Sequence, residues 1–210
     1  MIQSANYKYL VEWTFRDDAV VEARVGATGA NLPANHDVPH MHSVTWRLDI
    51  DLNGAAADSV RESKHRESST AQTATDSEVS ITTEGSRTWC PAQFTTWNIY
   101  DATLVNGQGK RSSFRLTPLR TGTSRHDVPY TQADFWVTRM NSKSGETAAV
   151  DLPDYVSDLQ SVSDQDIVVW YTAAIHHEER DEDDNGATQL LPVGFFLKPH
   201  DFFSSSPLFP

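Results

Sequence analysis

Residues 39–54 read PHMHSVTWRLDIDLNG, and their side chains alternate in character with the period of a β-strand. One face would carry imidazole and apolar groups, from His40, His42, Val44, Trp46, Leu48, Ile50 and Leu52. The other face would carry polar groups, from Ser43, Thr45, Arg47, Asp49 and Asp51. The Asn-Gly pair at 53–54 is typical of the turn that ends a strand. The stretch therefore predicts a long strand with a histidine face and an aspartate face.

Each face offers ligands for a different kind of metal ion. His40 and His42 are two residues apart, so their imidazoles can point at one ion, and imidazole nitrogen suits a transition metal. Asp49 and Asp51 are carboxylates at the same spacing, which can hold a harder cation through oxygen. The alternative is a pair of core histidines and a solvated acidic edge, and an H-x-H pair alone does not distinguish the two.

A second stretch, DQDIVVWYTAAIHH, ends at His177 and predicts a strand with the same segregation. Its apolar run is nearly continuous, as in a central strand that is covered on both faces. Regular alternation places His177 on the face of Ile167 and places Asp166 on the opposite face. If the two strands pair, three histidines meet on one side of the sheet and three aspartates on the other. His176 competes for the third histidine position, and the alternation favours His177.

The N-terminal segment predicts a β-hairpin. Residues 5–15 are aromatic and β-prone, a polar turn follows at Asp17-Asp18, and residues 21–25 alternate apolar with polar. The second strand should end at Gly26 or Gly29. Because nothing strand-like precedes residue 5, we expect this hairpin to have lost partner strands on its N-terminal side.

The rest of the chain predicts short strands and no long amphipathic helix. Strand-like runs occur at residues 79–83, 87–90, 95–100, 113–117 and 135–140. Turn signals separate them, at Asn106-Gly107, Gly109 and Gly122. Many short strands with such turns indicate an all-β antiparallel sandwich. Residues 58–76 are polar and show no sustained period, so we expect a surface arm or loop there.

The composition disfavours some classes of protein. A net charge of −12 and a pI near 4.9 argue against binding to nucleic acid or to an acidic membrane surface, because both need a basic footprint. Acidity instead suits cationic small molecules through electrostatic steering. The single cysteine, Cys90, excludes an internal disulfide framework. No apolar run has the length of a membrane span and no signal-peptide pattern is present, which favours an intracellular location.

Several motifs together resemble the copper amine oxidases. They are Asn6-Tyr7, the H-x-H of His40 and His42 with the following RLD, the DQDIVVW run leading to His177, and the tail GFFLKP at 194–199. Their order and spacing span essentially all of residues 1–210 and are similar to the C-terminal part of that family's catalytic domain. The resemblance implies a large antiparallel β-sandwich, usually a homodimer with extended hairpin arms.

The resemblance also implies an activity, which is the oxidative deamination of a primary amine by dioxygen to an aldehyde, ammonia and hydrogen peroxide. The copper ligands would be His40, His42 and His177. Tyr7 would be the precursor of topaquinone, a redox cofactor made from tyrosine by copper and oxygen, and Asn6 would help to orient it. A second, calcium-like site would use the side chains of Asp49, Asp51 and Asp166 and the backbone carbonyls of Ile50 and Ile167.

Two of the departures of this sequence from the family bear directly on activity. Lys8 follows the cofactor tyrosine where the family has an acidic residue, so a cation beside the quinone would alter its electronics and repel an ammonium substrate. The family's catalytic aspartate and a tyrosine that contacts the quinone lie upstream of the cofactor tyrosine. We therefore expect neither in this chain, and little or no turnover from it alone. The alternative is a degenerate, non-catalytic β-sandwich that keeps a metal site and serves binding or structure.

Overall fold

The computed structural model describes residues 1–4, 6–29, 38–67, 74–120, 127–141, 148–178 and 188–209, and β-strands dominate it. The strands are β1 (Ile2–Ser4), β2 (Tyr7–Phe15), β3 (Val21–Gly29), β4 (His40–Asp49), β5 (Asp58–Glu67), β6 (Ala74–Ile81), β7 (Gly85–Arg87), β8 (Thr96–Val105), β9 (Arg111–Arg120), β10 (Phe135–Arg139), β11 (Ile167–His177) and β12 (Thr188–His200). Helix α1 (Leu152–Tyr155) is one turn long, and 3₁₀ turns occupy Pro91–Gln93, Pro129–Gln132, Ala149–Asp151 and Val156–Asp158. Within these ranges no helix is long and apolar enough to cross a membrane.

The strands form two antiparallel sheets. The larger sheet has eight strands in the order β1-β2-β3-β12-β9-β8-β5-β6. The smaller sheet has four strands in the order β4-β11-β10-β7. Strand β12 lies inside the larger sheet between β3 and β9, and β11 lies inside the smaller sheet between β4 and β10. The all-β antiparallel sandwich predicted from the sequence is therefore confirmed.

The main hydrophobic core fills the space between the two sheets. Tyr171 of the smaller sheet contacts Phe195 of the larger sheet, with ring centroids 5.5 Å apart. Trp97 stacks on Phe135 at 4.5 Å. A second core lies on the other face of the smaller sheet, where Trp170 packs with residues of α1 and its neighbouring turns. Strand β11 is thus covered on both faces, as its continuous apolar run predicts.

The predicted strand runs overlap the observed strands unevenly. The runs at 79–83, 95–100, 113–117 and 135–140 fall largely within β6, β8, β9 and β10. The run at 87–90 meets β7 only at Arg87, and the turn signal at Gly122 lies outside the described residues. Strand β4 ends at Asp49, so the chain has left the strand before the Asn53-Gly54 turn.

The expectation of an aperiodic arm over residues 58–76 is wrong for its first part. Residues 58–67 form β5, which pairs with β8 from Asp58 to Ser63 and with β6 along most of its length. Some polar side chains of β5 are buried, and several of these have hydrogen-bond partners. For example, the Trp97 indole donates to Glu62, at 3.3 Å. Residues 68–73, which connect β5 to β6 in the sequence, lie outside the described residues.

The N-terminal hairpin is present, but it does have a preceding element. Strands β2 and β3 pair from Tyr7 opposite Gly29 to Phe15 opposite Val21. The short strand β1 pairs with β2 ahead of them. The expectation that nothing precedes the hairpin is therefore corrected, since Ile2–Ser4 already forms an edge strand.

Gly194 sets the close approach of β12 to β3. A Cβ at this position would overlap the carbonyl oxygen of Ala23, which belongs to a strand backbone and cannot move aside cheaply. We predict that Gly194→Ala lowers the free energy of unfolding by more than about 2 kcal/mol, measured by urea titration. Gly26→Ala is the matched control, because its Cβ would meet only ordinary contacts, the nearest being 3.5 Å from the Leu190 oxygen. The same loss in both variants would contradict this account.

Candidate metal centre and tyrosine site

The pairing of β4 with β11 brings three histidines together. His177 lies directly opposite His40, and Ile175 lies opposite His42, so the three imidazoles share one face. Each offers a ring nitrogen, and these three atoms lie within 4.8 Å of one another. His177 is buried, whereas the neighbouring His176 is exposed. The structure therefore groups His177, and not His176, with the H-x-H pair.

Tyr7 reaches this group from the other sheet. Its hydroxyl lies 2.8 Å from Nδ1 of His177 and 3.1 Å from Nε2 of His40. Its ring meets that of His42 edge-on, with centroids 4.5 Å apart. Tyr7 is buried and belongs to the core between the sheets. One tyrosine from the larger sheet and three histidines from the smaller sheet thus converge at one end of the sandwich.

Gly29 makes room for this tyrosine. It pairs with Tyr7 across β2 and β3, and a Cβ there would lie 2.6 Å from the carbonyl oxygen of Asn6 and 2.7 Å from the Tyr7 ring. Asn6 itself is exposed in the turn before β2, and its orienting role stays a prediction. Lys8 is exposed on the face of β2 opposite to Tyr7. Its ammonium group therefore points away from the tyrosine ring, which corrects the expectation of a cation beside it.

Hydrogen bonds around the histidines select which ring nitrogens face inward. Nδ1 of His40 lies 2.9 Å from the carbonyl oxygen of Val38, so this nitrogen carries the proton and Nε2 is left as the metal-binding atom. Nδ1 of His42 lies 2.8 Å from the hydroxyl of Tyr9, which can play the same part. Burial raises the pKa of Tyr9, so its phenol stays neutral. The donor set is three imidazoles without a thiolate, which fits Cu(II) and fits zinc as well.

Tyr9 was not identified from the sequence as a site residue. The signal was present, because residues 7 and 9 share a face of any regular strand. What the sequence could not supply is that His42 lies against that face, since β2 and β4 belong to different sheets.

The predicted aspartate group forms at the opposite end of the β4–β11 pair. Asp49, Asp51 and Asp166 offer carboxylate oxygens within 4.8 Å of one another, and Arg47 lies 3.3 Å from Asp49. Burial raises the pKa of Asp166, and the charges of Asp51 and Asp49 raise it further. Such a cluster gains from a bound cation, because the cation offsets the repulsion among the carboxylates. The backbone carbonyls of Ile50 and Ile167 as ligands stay a prediction.

A fourth carboxylate, that of Asp58, lies near this cluster and was not singled out from the sequence. It is fully buried, and one of its oxygens has no hydrogen-bond partner within the described ranges. Burial raises the pKa of Asp58 to about 7, with smaller contributions from the charges of Asp51, Asp101 and Asp166, against the stabilising backbone N–H of Leu52. The buried position of Asp58 could not be read from a polar segment without strand periodicity.

The raised pKa of Asp58 makes folding depend on pH. The folded state binds this proton more tightly than the unfolded chain, whose aspartates titrate near 3.8, so the free energy of unfolding falls as pH rises from about 4 to about 7. We predict that the Asp58→Asn variant lacks this part of the decrease in the free energy of unfolding. The measurement is urea titration of the metal-free protein at about pH 5 and about pH 8.

The control for this prediction is Asp101→Asn. Hydrogen bonds from Thr103 lower the pKa of Asp101, so this carboxylate is ionised at both pH values. Its charge makes only a smaller contribution to the raised pKa of Asp58, so its loss should destabilise the protein at both pH values and leave most of the pH dependence in place. An unchanged pH dependence in Asp58→Asn would contradict the prediction.

A family model described as "Copper amine oxidase, enzyme domain" matches residues 33–209. Among curated proteins, copper-containing amine oxidase gamma 2 of Arabidopsis thaliana is 26% identical over 254 residues, covering 97% of this chain and 37% of the relative. The primary amine oxidase of Arthrobacter sp. (strain P1) is 27% identical over 248 residues, with coverages of 97% and 37%. The chain thus spans a little over a third of the length of these relatives.

Solved structures share the fold. A copper-containing benzylamine oxidase from Hansenula polymorpha superposes with a TM-score of 0.81 at 17% identity, covering 98% of this chain and 39% of that one. An amine oxidase from Aspergillus nidulans superposes with a TM-score of 0.75 at 19% identity, with coverages of 96% and 33%. At these identities the likeness carries the arrangement of strands and nothing finer.

Proposed function

This chain belongs to the copper amine oxidase family, and from that premise we propose that His40, His42 and His177 bind one copper ion and that Tyr7 is the precursor of topaquinone. The activity we propose is the oxidation of a primary amine by dioxygen and water to an aldehyde, ammonia and hydrogen peroxide. One observation carries the proposal. The hydroxyl of Tyr7 lies within hydrogen-bond distance of two of the three grouped histidines, where a bound metal would be its neighbour.

The chemistry of the donor set supports copper. Cu(II) binds imidazole nitrogen more strongly than the other first-row divalent ions, although zinc would accept the same ligands. His40 and His42 would bind through Nε2, because their Nδ1 atoms contact the Val38 carbonyl and the Tyr9 hydroxyl. His177 would bind through Nδ1, the nitrogen that lies 2.8 Å from the Tyr7 hydroxyl and 3.3 Å from Nε2 of His40.

The chain's own residues would position and shield the reacting centre. Bound copper and the quinone would supply the two-electron oxidation itself. Tyr7 is held between the sheets with its hydroxyl directed at His177 and His40, and Tyr9 acts as a positioning residue through His42. We assign the catalytic base to no aspartate of the metal-binding cluster, because that cluster lies at the other end of the β4–β11 pair.

We also propose a second metal site and a dimeric assembly. A calcium-like ion would bind at Asp49, Asp51 and Asp166, where the carboxylates repel one another without a cation. The protein would act as a homodimer, as the family resemblance implies.

A second candidate function is metal binding without quinone chemistry. The observation that favours it is the donor set itself, because three grouped imidazoles can bind copper or zinc whether or not Tyr7 is converted. In that case the three-histidine site would bind copper in a protein that serves binding or structure.

The experiment that separates the two is a phenylhydrazine test on copper-loaded, aerated protein, together with metal analysis. We expect about one copper per chain and a strong hydrazone band, because phenylhydrazine reacts with a quinone carbonyl. Tyr7→Phe should lose the band and keep the copper. Tyr9→Phe removes a hydroxyl from the same face of β2 and is the matched control. It should keep the band while its copper affinity falls about tenfold or more, since a partner of a ligand histidine is lost.

Copper binding without any hydrazone band would overturn the quinone assignment and favour the second candidate. A hydrazone band that persists in Tyr7→Phe would show that another residue is modified. Absence of copper binding would overturn both candidates.

A further inference from the structure

A polar cleft lies on the outer face of the larger sheet, away from the tyrosine and histidines. In β8, Trp97 and Ile99 point into the core between the sheets, so Asn98 and Tyr100 point outward. The cleft in front of them has a volume of about 340 Å³ and is lined in part by Arg61, Lys110, Arg111 and His200. A sheet therefore separates this cleft from the proposed copper site.

The cleft is positively charged in a chain whose net charge is −12. Its two carboxylates are Glu78 and Asp201, and Glu78 is already paired with Arg61, at 2.7 Å. Within the described ranges, no carboxylate lies at ion-pair distance from Lys110 or Arg111, which line the cleft. The cleft therefore holds more cations than the nearby carboxylates neutralise.

The guanidinium groups are held in place before any ligand arrives. Arg61 and Arg111 both lie over the ring of Tyr100, with their central carbons 4.6 Å and 5.4 Å from its centroid. Arg115 adjoins the cleft, donating from Nε to Asn98 at 2.9 Å and from Nη2 to Nε2 of His200 at 3.0 Å. Side chains fixed in this way lose little conformational entropy when they bind a ligand.

Arg115 also fixes which nitrogen of the neighbouring His200 carries the proton. Because Arg115 donates to His200, the imidazole accepts at Nε2 and is neutral, with its Nδ1 proton directed at Asp201, 3.3 Å away. Burial lowers the pKa of His200 and the Arg115 charge lowers it further, while Asp201 and Glu78 act in the opposite sense.

We propose that this cleft binds the phosphate or other tetrahedral oxyanion group of a small molecule, with Arg61 and Arg111 as its main ligands. The planar fork of a guanidinium donates two parallel hydrogen bonds to such a group. The volume is at the small end of ligand pockets, which suits a compact metabolite. The ammonium group of an amine would be repelled here, so this site is independent of the proposed amine chemistry.

The test is isothermal titration of the whole chain with inorganic phosphate and with glycerol 3-phosphate at low ionic strength. We expect saturable binding that weakens with added salt and falls at least about tenfold in Arg111→Gln. Arg87→Gln, the control, makes the same change of charge on the smaller sheet and should bind as the unaltered protein does. Arg111 is exposed at the start of β9, and the neighbouring Lys110 is exposed as well. Lys110→Gln is therefore a second variant, for which we expect a smaller loss of binding.

The outcomes distinguish a phosphorylated metabolite from free phosphate as the ligand, and they decide whether the proposal holds. Tighter binding of the ester than of inorganic phosphate would identify a phosphorylated metabolite as the ligand class, and equal binding would identify the free ion. No saturable binding of either compound would overturn the proposal. Equal binding by Arg111→Gln and Arg87→Gln would overturn it as well. Copper loading should be unaffected in every variant, so failure here is distinguishable from failure of the proposed function.

Discussion

The site depends on one register, in which His177 of β11 lies opposite His40 of β4. This pairing aligns two strands that each carry histidines at one end and aspartates at the other. Because side chains alternate with a period of two, a slip of one residue in the pairing would move His177 to the opposite face of the sheet. Neither the histidine group nor the aspartate group would then form. Burial of β11 on both faces resists such a slip, since Tyr171 and Trp170 fill separate cores.

The second requirement is that the two sheets pack face to face. Tyr7 belongs to the larger sheet and the histidines to the smaller one, so no backbone pairing brings them together. The core between the sheets does so, and Gly29 leaves the space that the tyrosine ring occupies. This packing holds the Tyr7 hydroxyl beside the three grouped histidines. The basic cleft on the outer face shares none of these constraints.

Much of the fold and of the histidine group could be predicted, because the sequence patterns that indicate them are local. The alternation in residues 39–54 and the apolar run before His177 predicted both strands, their faces and the choice of His177 over His176, which is exposed. Strand β5 was missed because two of its polar residues, Ser59 and Glu62, are buried through hydrogen-bond partners distant in the sequence. Strand β12 was not predicted, and Pro192 and Pro199 interrupt its pattern. Tyr9 and Asp58 depend on packing between elements, which periodicity does not report.

X-ray absorption at the copper edge tests the central claim most directly, because it reports the ligands of the bound ion itself. The protein would be loaded with equimolar Cu(II) and compared with His177→Ala and His176→Ala, two neighbours that differ in burial. The account predicts scattering from three imidazoles in the unaltered protein and in His176→Ala, and from two in His177→Ala. Loss of an imidazole in His176→Ala with none lost in His177→Ala would contradict it.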